Sequence, residues 1–286
     1  MLATMLQRLL LPIFVASALC ACGAPPKRAA SYSDEAKRAY DKAMADFESH
    51  DWMEAQALLQ DVRKKYPYSR YALLAELRIA DADFEQEKYI EAIRRYRAFV
   101  HDHRSDTADV AYARAKIADA EYQQISDSAI LPSHIERDQA SVLDAYRELR
   151  AYVTDYGSSD GAPRVRLLLT EVMGRLVTHE LRIAQFYISK ENYVAAEGRV
   201  NYALDRYARL RLPVSPESTK LMVLVANEEA EALMLLSEVH AHLGNNKAAT
   251  EDLDRLLAEH PNSKLREQAK RYRDFVAKRA AGSNAR

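Results

Sequence analysis

Two histidine pairs and one His-Glu pair are the residues of this 286-residue chain that could do chemistry. His101 lies two positions before His103, and His240 lies two positions before His242. On a helix this spacing turns the second imidazole about 200° from the first, whereas a zinc-binding helix places its histidines four positions apart. We therefore predict that neither pair forms a physiological metal site.

The adjacent residues His179 and Glu180 could serve as an acid and a base. Neighbouring residues on a helix point in different directions, however, so the two side chains would not converge on one substrate. The sequence contains no nucleophile elbow, phosphate-binding loop or cysteine pair that would complete a catalytic site. We predict that the protein is not an enzyme and needs no cofactor.

Both cysteines lie near the start of the chain, after Arg8 and an apolar run over residues 9–19. This layout is typical of a secretory signal, and the run is too short to span a bilayer. Residues 19–22 resemble a bacterial lipobox, in which the final cysteine receives diacylglycerol. Cys20 directly follows the bulky Leu19 and does not fit that position. We predict a signal peptide over residues 1–21, a lipid on Cys22 and a tether over residues 22–34. The alternative is a plain secretion signal cut nearby.

Composition limits the remaining possibilities. Removal of the signal leaves a single cysteine, so no intramolecular disulfide supports the exported fold. The 41 basic and 42 acidic residues nearly cancel, which argues against nucleic acid as a partner. Only 7 glycines and 9 prolines occur, as is typical of a helical protein.

An internal repeat organises the chain from residue 33 onward, where apolar residues recur at intervals of three and four. Five alanines are each followed eleven positions later by a ring: the alanines are Ala55, Ala92, Ala145, Ala196 and Ala249, and the rings are Tyr66, His103, Tyr156, Tyr207 and His260. This pattern resembles the tetratricopeptide repeat. We predict an all-α solenoid of about five helix pairs over residues 35–278, followed by a disordered tail over residues 279–286.

Successive repeat alanines are 37, 53, 51 and 53 positions apart, compared with the norm of about 34. The later repeats must therefore contain extra turns or insertions, and we expect one between Tyr122 and Gln139 and another at residues 212–216. Trp52, Tyr89 and Tyr193 precede three of the alanines by three positions, and we interpret them as core residues. The apolar run 221–225 indicates either an inner helix or a docking surface.

The stretches 175–187 and 193–199 resemble the BamD family, the tetratricopeptide-repeat lipoproteins of the β-barrel assembly machinery. Segments around Tyr66, Asp109 and Glu136 agree with this resemblance, which extends from about residue 35 to residue 275. It implies a periplasm-facing scaffold held by lipid at the outer membrane. Such a scaffold would bind the POTRA domains of BamA, accompany the other Bam lipoproteins and receive unfolded barrel precursors.

Two residues take roles from this resemblance. Arg199 matches the family arginine that couples to BamA, and Tyr66 matches a tyrosine that faces the incoming substrate. From their positions alone, Arg199 could equally form an intramolecular ion pair and Tyr66 could be a packing residue of its repeat. Lys190, Glu191 and Asn192 replace the family's usual glycine-containing turn. The alternative function is that of a repeat lipoprotein accessory to a cell-wall synthase or to pilus and secretin assembly.

Overall fold

The computed structural model describes residues 31–104, 107–125, 139–208 and 219–283. These ranges form eleven α-helices and one π-helical turn and contain no strand, which confirms the all-α prediction. The signal segment and Cys22 lie outside the described residues, as do the segments 126–138 and 209–218 that contain the expected insertions. The side chains of the run 221–225 also lie outside them.

Consecutive helices pack against each other in chain order. Their bounds are α1 Tyr32–Glu48, α2 Trp52–Lys65, α3 Arg70–Glu85, α4 Tyr89–Asp102, α5 Thr107–Gln123, α6 Ala140–Tyr156, α7 Ala162–Ser189, α8 Tyr193–Ala203, α9 Thr219–His242, α10 Asn246–Glu259 and α11 Arg266–Ser283, with the π-helical turn Leu204–Ala208 continuing α8. Each helix contacts the next, and α1 also contacts α3, as α5 does α7 and α7 does α9. Five helix pairs covered by α11 therefore form the predicted solenoid.

The five repeat alanines explain why the pairs pack closely. Each lies in the second helix of its pair, and none has exposed surface. A methyl group there lets the first helix approach, because any larger side chain would hold the two backbones apart. The repeat inferred from the alanines thus corresponds to real helix pairs.

A left-handed residue five positions before the alanine joins the helices in four of the pairs. His50, Glu87, Glu191 and Gly244 have φ values of 64°, 60°, 58° and 79°. This backbone conformation costs a residue with a side chain about 1–2 kcal/mol. Glu191 therefore adopts, in this turn, a backbone conformation that glycine would adopt at lower cost.

The rings three positions before the alanines lie at the edge of the core. Trp52, Tyr89 and Tyr193 are half-buried, so the prediction that they belong to the core holds only in part. Each ring packs on another: Trp52 lies 5.0 Å from Phe47, Tyr89 lies 5.5 Å from Phe84 and Tyr193 stacks 4.5 Å from His242. They thus close the turn end of their helix pairs.

Long first helices account for part of the wide repeat spacing. Helix α7 has 28 residues and α9 has 24, whereas α2, α4 and α10 each have 14. The fourth and fifth pairs therefore contain additional turns, as predicted.

Both predicted ends of the solenoid need correction. Helix α1 begins at Tyr32, inside the predicted tether, because Ser31 and Asp34 form a capping box. Helix α11 continues through Ser283, so residues 279–283 are helical and do not belong to a disordered tail. Alanine, lysine and arginine are strong helix formers, which explains why the helix extends beyond the last apolar contact.

One buried carboxylate ties three helices together in the N-terminal half. Asp81 of α3 accepts hydrogen bonds from Tyr96 of α4 at 2.5 Å and from Tyr112 of α5 at 2.9 Å, and it pairs with Arg78. Burial, together with the nearby Asp81 carboxylate, raises the pKa of Tyr96 far above its ordinary value. The phenol therefore remains a neutral donor, and the carboxylate keeps partners in the core.

Candidate partner-binding surface

Arg199 lies on α8, three positions after the repeat alanine Ala196. Its guanidinium donates a hydrogen bond of 3.1 Å to Glu180 of α7. The Glu180 side chain is 11% exposed and the Arg199 side chain 43%. A nearly buried carboxylate is costly to leave without a positive partner. The pair between Glu180 and Arg199 therefore has a structural role.

The same repeat position makes a polar side-chain contact in three other repeats. Arg95 pairs with Asp83 at 2.5 Å, Asp252 pairs with His240 at 2.6 Å, and Glu148 lies 4.0 Å from Arg114. In each case the second helix of a pair is joined to the first helix of that pair. The intramolecular role left open for Arg199 is therefore real, although much of its guanidinium still faces solvent.

A polar and aromatic surface surrounds Arg199, and we call Arg199, Tyr202 and Arg206 the α8 surface. Tyr202 and Arg206 are exposed and follow Arg199 by three and seven positions. They border a cleft of 520 Å³ whose opposite wall includes Tyr146 and Arg150 of α6. Arginine and tyrosine are the residue types that most often dominate protein interfaces.

Tyr66, the predicted substrate-facing residue, is buried. It is 6% exposed and belongs to the core between α1, α2 and α3. Its ring packs edge-on against Tyr32 at 5.4 Å. Burial explains why a ring recurs at this position in every repeat, and it favours the packing role.

The exposed tyrosine of this region is Tyr68, which sequence reasoning missed. Its side chain is 95% exposed. The ring at Tyr66 recurs in all five repeats, whereas the positions equivalent to Tyr68 carry serine, arginine or asparagine. An aromatic residue that the repeat does not require was the signal that could have identified it.

Tyr68 borders a cleft of 670 Å³ in the N-terminal half, between α2, the following turn and α3. Arg63, His103 and Glu76 line it together with small apolar side chains. Glu76 pairs with Arg63 at 3.1 Å and with His103 at 3.4 Å. Lys64 and Arg70 also line the cleft, so basic groups outnumber acidic ones and an extended acidic or carboxylate-bearing segment would find complementary charge.

The histidine pairs diverge, as their spacing predicted. His101 is exposed and bonds Asp102, whereas His103 turns to Glu76. His240 lies between Asp252 and Glu197, whereas His242 stacks on Tyr193. Each imidazole therefore has its own neighbours, and the two members of each pair do not converge on one site.

No described helix is both long enough and apolar enough to cross a bilayer.

Comparison with known proteins identifies relatives over most of the chain. The model of the YfiO family, described as an outer membrane lipoprotein, matches residues 32–243, and a tetratricopeptide-repeat model matches residues 231–263. The outer membrane protein assembly factor BamD of Xylella fastidiosa is 23% identical over 86% of this chain and 79% of its own length. BamD of Neisseria gonorrhoeae is 24% identical over 72% of this chain and 79% of its own. Among solved structures, the TPR2AB domain of yeast Sti1 covers 87% of this chain and 86% of its own, at 13% identity and a TM-score of 0.42.

Proposed function

This chain belongs to the YfiO family of outer membrane lipoproteins, and from that premise we propose that it is an assembly factor for outer-membrane β-barrel proteins. Membership rests on a match over residues 32–243, and the matched relatives carry the name of outer membrane protein assembly factor. That match is the observation that carries the proposal. The role is that of a non-catalytic scaffold and requires no cofactor.

The α8 surface is the proposed contact with the POTRA domains of BamA. Arg199 carries over from the family resemblance, and Tyr202 and Arg206 lie beside it on the exposed side of α8 and the π-helical turn. Because Glu180 already holds the Arg199 guanidinium in place, binding would cost little side-chain entropy. Other Bam lipoproteins would join the same assembly.

The N-terminal cleft is the proposed site for unfolded barrel precursors. Tyr68 at its edge offers an exposed ring, and Arg63 and Lys64 offer positive charge to an extended segment. Tyr66 would act through packing, by holding the turn that carries Tyr68. We therefore propose Tyr68, and not Tyr66, as the residue that contacts the precursor.

The lipid proposed for Cys22 would hold this scaffold at the periplasmic face of the outer membrane. Tethering replaces free diffusion by a high effective concentration near BamA, so modest affinities suffice.

Site-specific photocrosslinking in the native bacterium tests both surfaces. A photoreactive residue at position 199 should capture BamA, and one at position 68 should capture barrel precursors. Position 247 is the control, because Lys247 is exposed on α10, lines neither cleft and pairs with Glu251 of its own helix. Position 66 should yield no precursor, because its side chain is buried.

The proposal fails if position 199 captures no BamA or position 68 no precursor. Capture of a secretin or a cell-wall synthase instead would favour the alternative accessory role.

A further inference from the structure

Three side chains that could bind a metal ion meet at the end of the fifth helix pair. Glu229 is buried in α9, Glu259 is the last residue of α10, and His260 directly follows it. One ligand atom from each side chain lies within 4.8 Å of the other two. Within the described ranges, no other group of three histidine, cysteine or acidic side chains meets this closely.

The buried His260 imidazole points to an additional ligand. His260 is 8% exposed, and its Nε2 atom makes no hydrogen bond within the described part of the chain. This atom lies 3.4 Å from Oε2 of Glu229, which is longer than an ordinary N–H···O hydrogen bond. Two ligands of a tetrahedral zinc ion, each bonded at about 2.0–2.1 Å, are separated by about 3.3 Å. The observed distance matches that separation.

Arg255 supports both carboxylates from one side. Its Nη2 donates to Oε1 of Glu229 at 3.1 Å, and its Nε donates to Oε1 of Glu259 at 3.2 Å. The second oxygen of Glu229 is thereby directed at His260. Hydrogen bonds that orient ligating carboxylates are a regular feature of metal sites. Two carboxylates and one guanidinium leave a local charge of about −1, which attracts a divalent cation.

We propose that Glu229, Glu259 and His260 form a binding site for Zn²⁺. An imidazole nitrogen and carboxylate oxygens are ligands that suit zinc. Three protein ligands leave the fourth coordination position to water, which can reach the site beside the exposed Glu259. The ion would fasten the first helix of the fifth pair to the end of the second. Its role would be structural, and it is independent of the proposed assembly function.

The chain contains its own matched control. His103 occupies the same repeat position as His260, and its Nε2 also lies 3.4 Å from a glutamate, Glu76, which an arginine supports. No second carboxylate joins that pair in a three-residue group within the described ranges. Three other repeats carry tyrosine at this position. A tyrosine therefore suits both positions sterically but supplies no imidazole.

The test is calorimetric titration of the chain from residue 22 with ZnCl₂ at neutral pH. All forms carry Cys22→Ser and no histidine tag, so that neither a thiol nor a tag binds the ion. We expect one saturable Zn²⁺ site per chain and a higher unfolding temperature with zinc, because the ion binds the folded state. His260→Tyr, Glu229→Gln and the exposed change Glu259→Gln should each weaken binding by at least about tenfold.

His103→Tyr should leave the affinity unchanged, and circular dichroism verifies that each variant is folded. The proposal is overturned if the parent chain shows no saturable site. It is also overturned if folded Glu259→Gln and His260→Tyr bind zinc as the parent does, or if His103→Tyr weakens binding equally.

Discussion

At the scale of single residues, Arg199 serves two requirements with one side chain. It satisfies Glu180, which is nearly buried, and it still presents part of its guanidinium to solvent. A loss of function on mutating Arg199 could therefore reflect lost stability as well as lost binding, and stability must be measured first.

Arg199→Ala should lower the free energy of unfolding by about 1–3 kcal/mol, because it leaves the Glu180 carboxylate without its partner. The double change Glu180→Gln with Arg199→Ala should recover part of that loss, since a neutral amide is cheaper to bury. Urea unfolding followed by circular dichroism measures both. Arg147→Ala, in an exposed pair with Asp144, should change stability by less than about 0.5 kcal/mol.

An unchanged stability in Arg199→Ala would show that the pair with Glu180 contributes nothing. In that case any defect in BamA capture would be a binding effect alone.

Tyr96 should make the folded protein less stable as the pH rises above about 10. Burial and the Asp81 carboxylate raise the pKa of this phenol in the folded state, whereas the unfolded chain loses the proton near pH 10. The folded state thus binds more protons above that pH, and stability falls as the pH rises, by about 1.4 kcal/mol per pH unit for one proton. In Tyr96→Phe this alkaline slope should be reduced, although the lost hydrogen bond costs about 1 kcal/mol at neutral pH.

Urea unfolding at a series of pH values from neutral to alkaline measures the slope. Equal alkaline slopes in the parent and in Tyr96→Phe would contradict this explanation.

At the scale of helices and turns, the repeat pattern predicted much of the structure. Buried alanines recur because the two helices of each pair approach equally closely. Their regular spacing along the sequence therefore predicted the helix pairs. The contacts that fill each pair differ: Asp81 joins three helices, and Gly174 of α7 leaves space for Glu228 of α9. Such contacts join residues distant in sequence and could not be read from spacing.

Contacts between residues distant in sequence also limited the prediction of the site. Arg199 could be placed on a helix, but its partner Glu180 is 19 positions away on another helix. Tyr66 matches the family by residue type, but residue type does not reveal that Tyr66 is buried and Tyr68 exposed.

Two glycine-to-alanine changes should have opposite effects on stability. Gly244 has a φ of 79° in the turn before α10, so Gly244→Ala should cost about 1 kcal/mol. Gly198 lies inside α8 with no heavy atom near its missing Cβ, so Gly198→Ala should stabilise by about 0.5–1 kcal/mol. Thermal unfolding of the two variants measures the difference. Equal effects of the same sign would refute this account of the turns.

At the scale of the whole molecule, five stacked pairs and a covering helix bury apolar clusters of their own, so we expect their stability not to depend on the proposed lipid anchor. Cys22→Ser should therefore leave the helical content and the unfolding temperature unchanged. It should move the protein from the membrane fraction to the soluble periplasm and weaken barrel assembly, because the proposed lipid would be lost. Fractionation and circular dichroism test these points, and a misfolded Cys22→Ser form would instead indicate a structural role for the anchor.

Depletion of the protein in its own bacterium tests the assembly function most directly. Folded barrel proteins, measured by their heat-dependent mobility in outer-membrane fractions, should fall as the protein is depleted and recover when the parent gene is restored. An Arg199→Ala form that is expressed and folded should restore them less well than Lys247→Ala, which changes an exposed ion pair outside both proposed surfaces. Normal levels of folded barrel proteins after complete depletion would contradict the account.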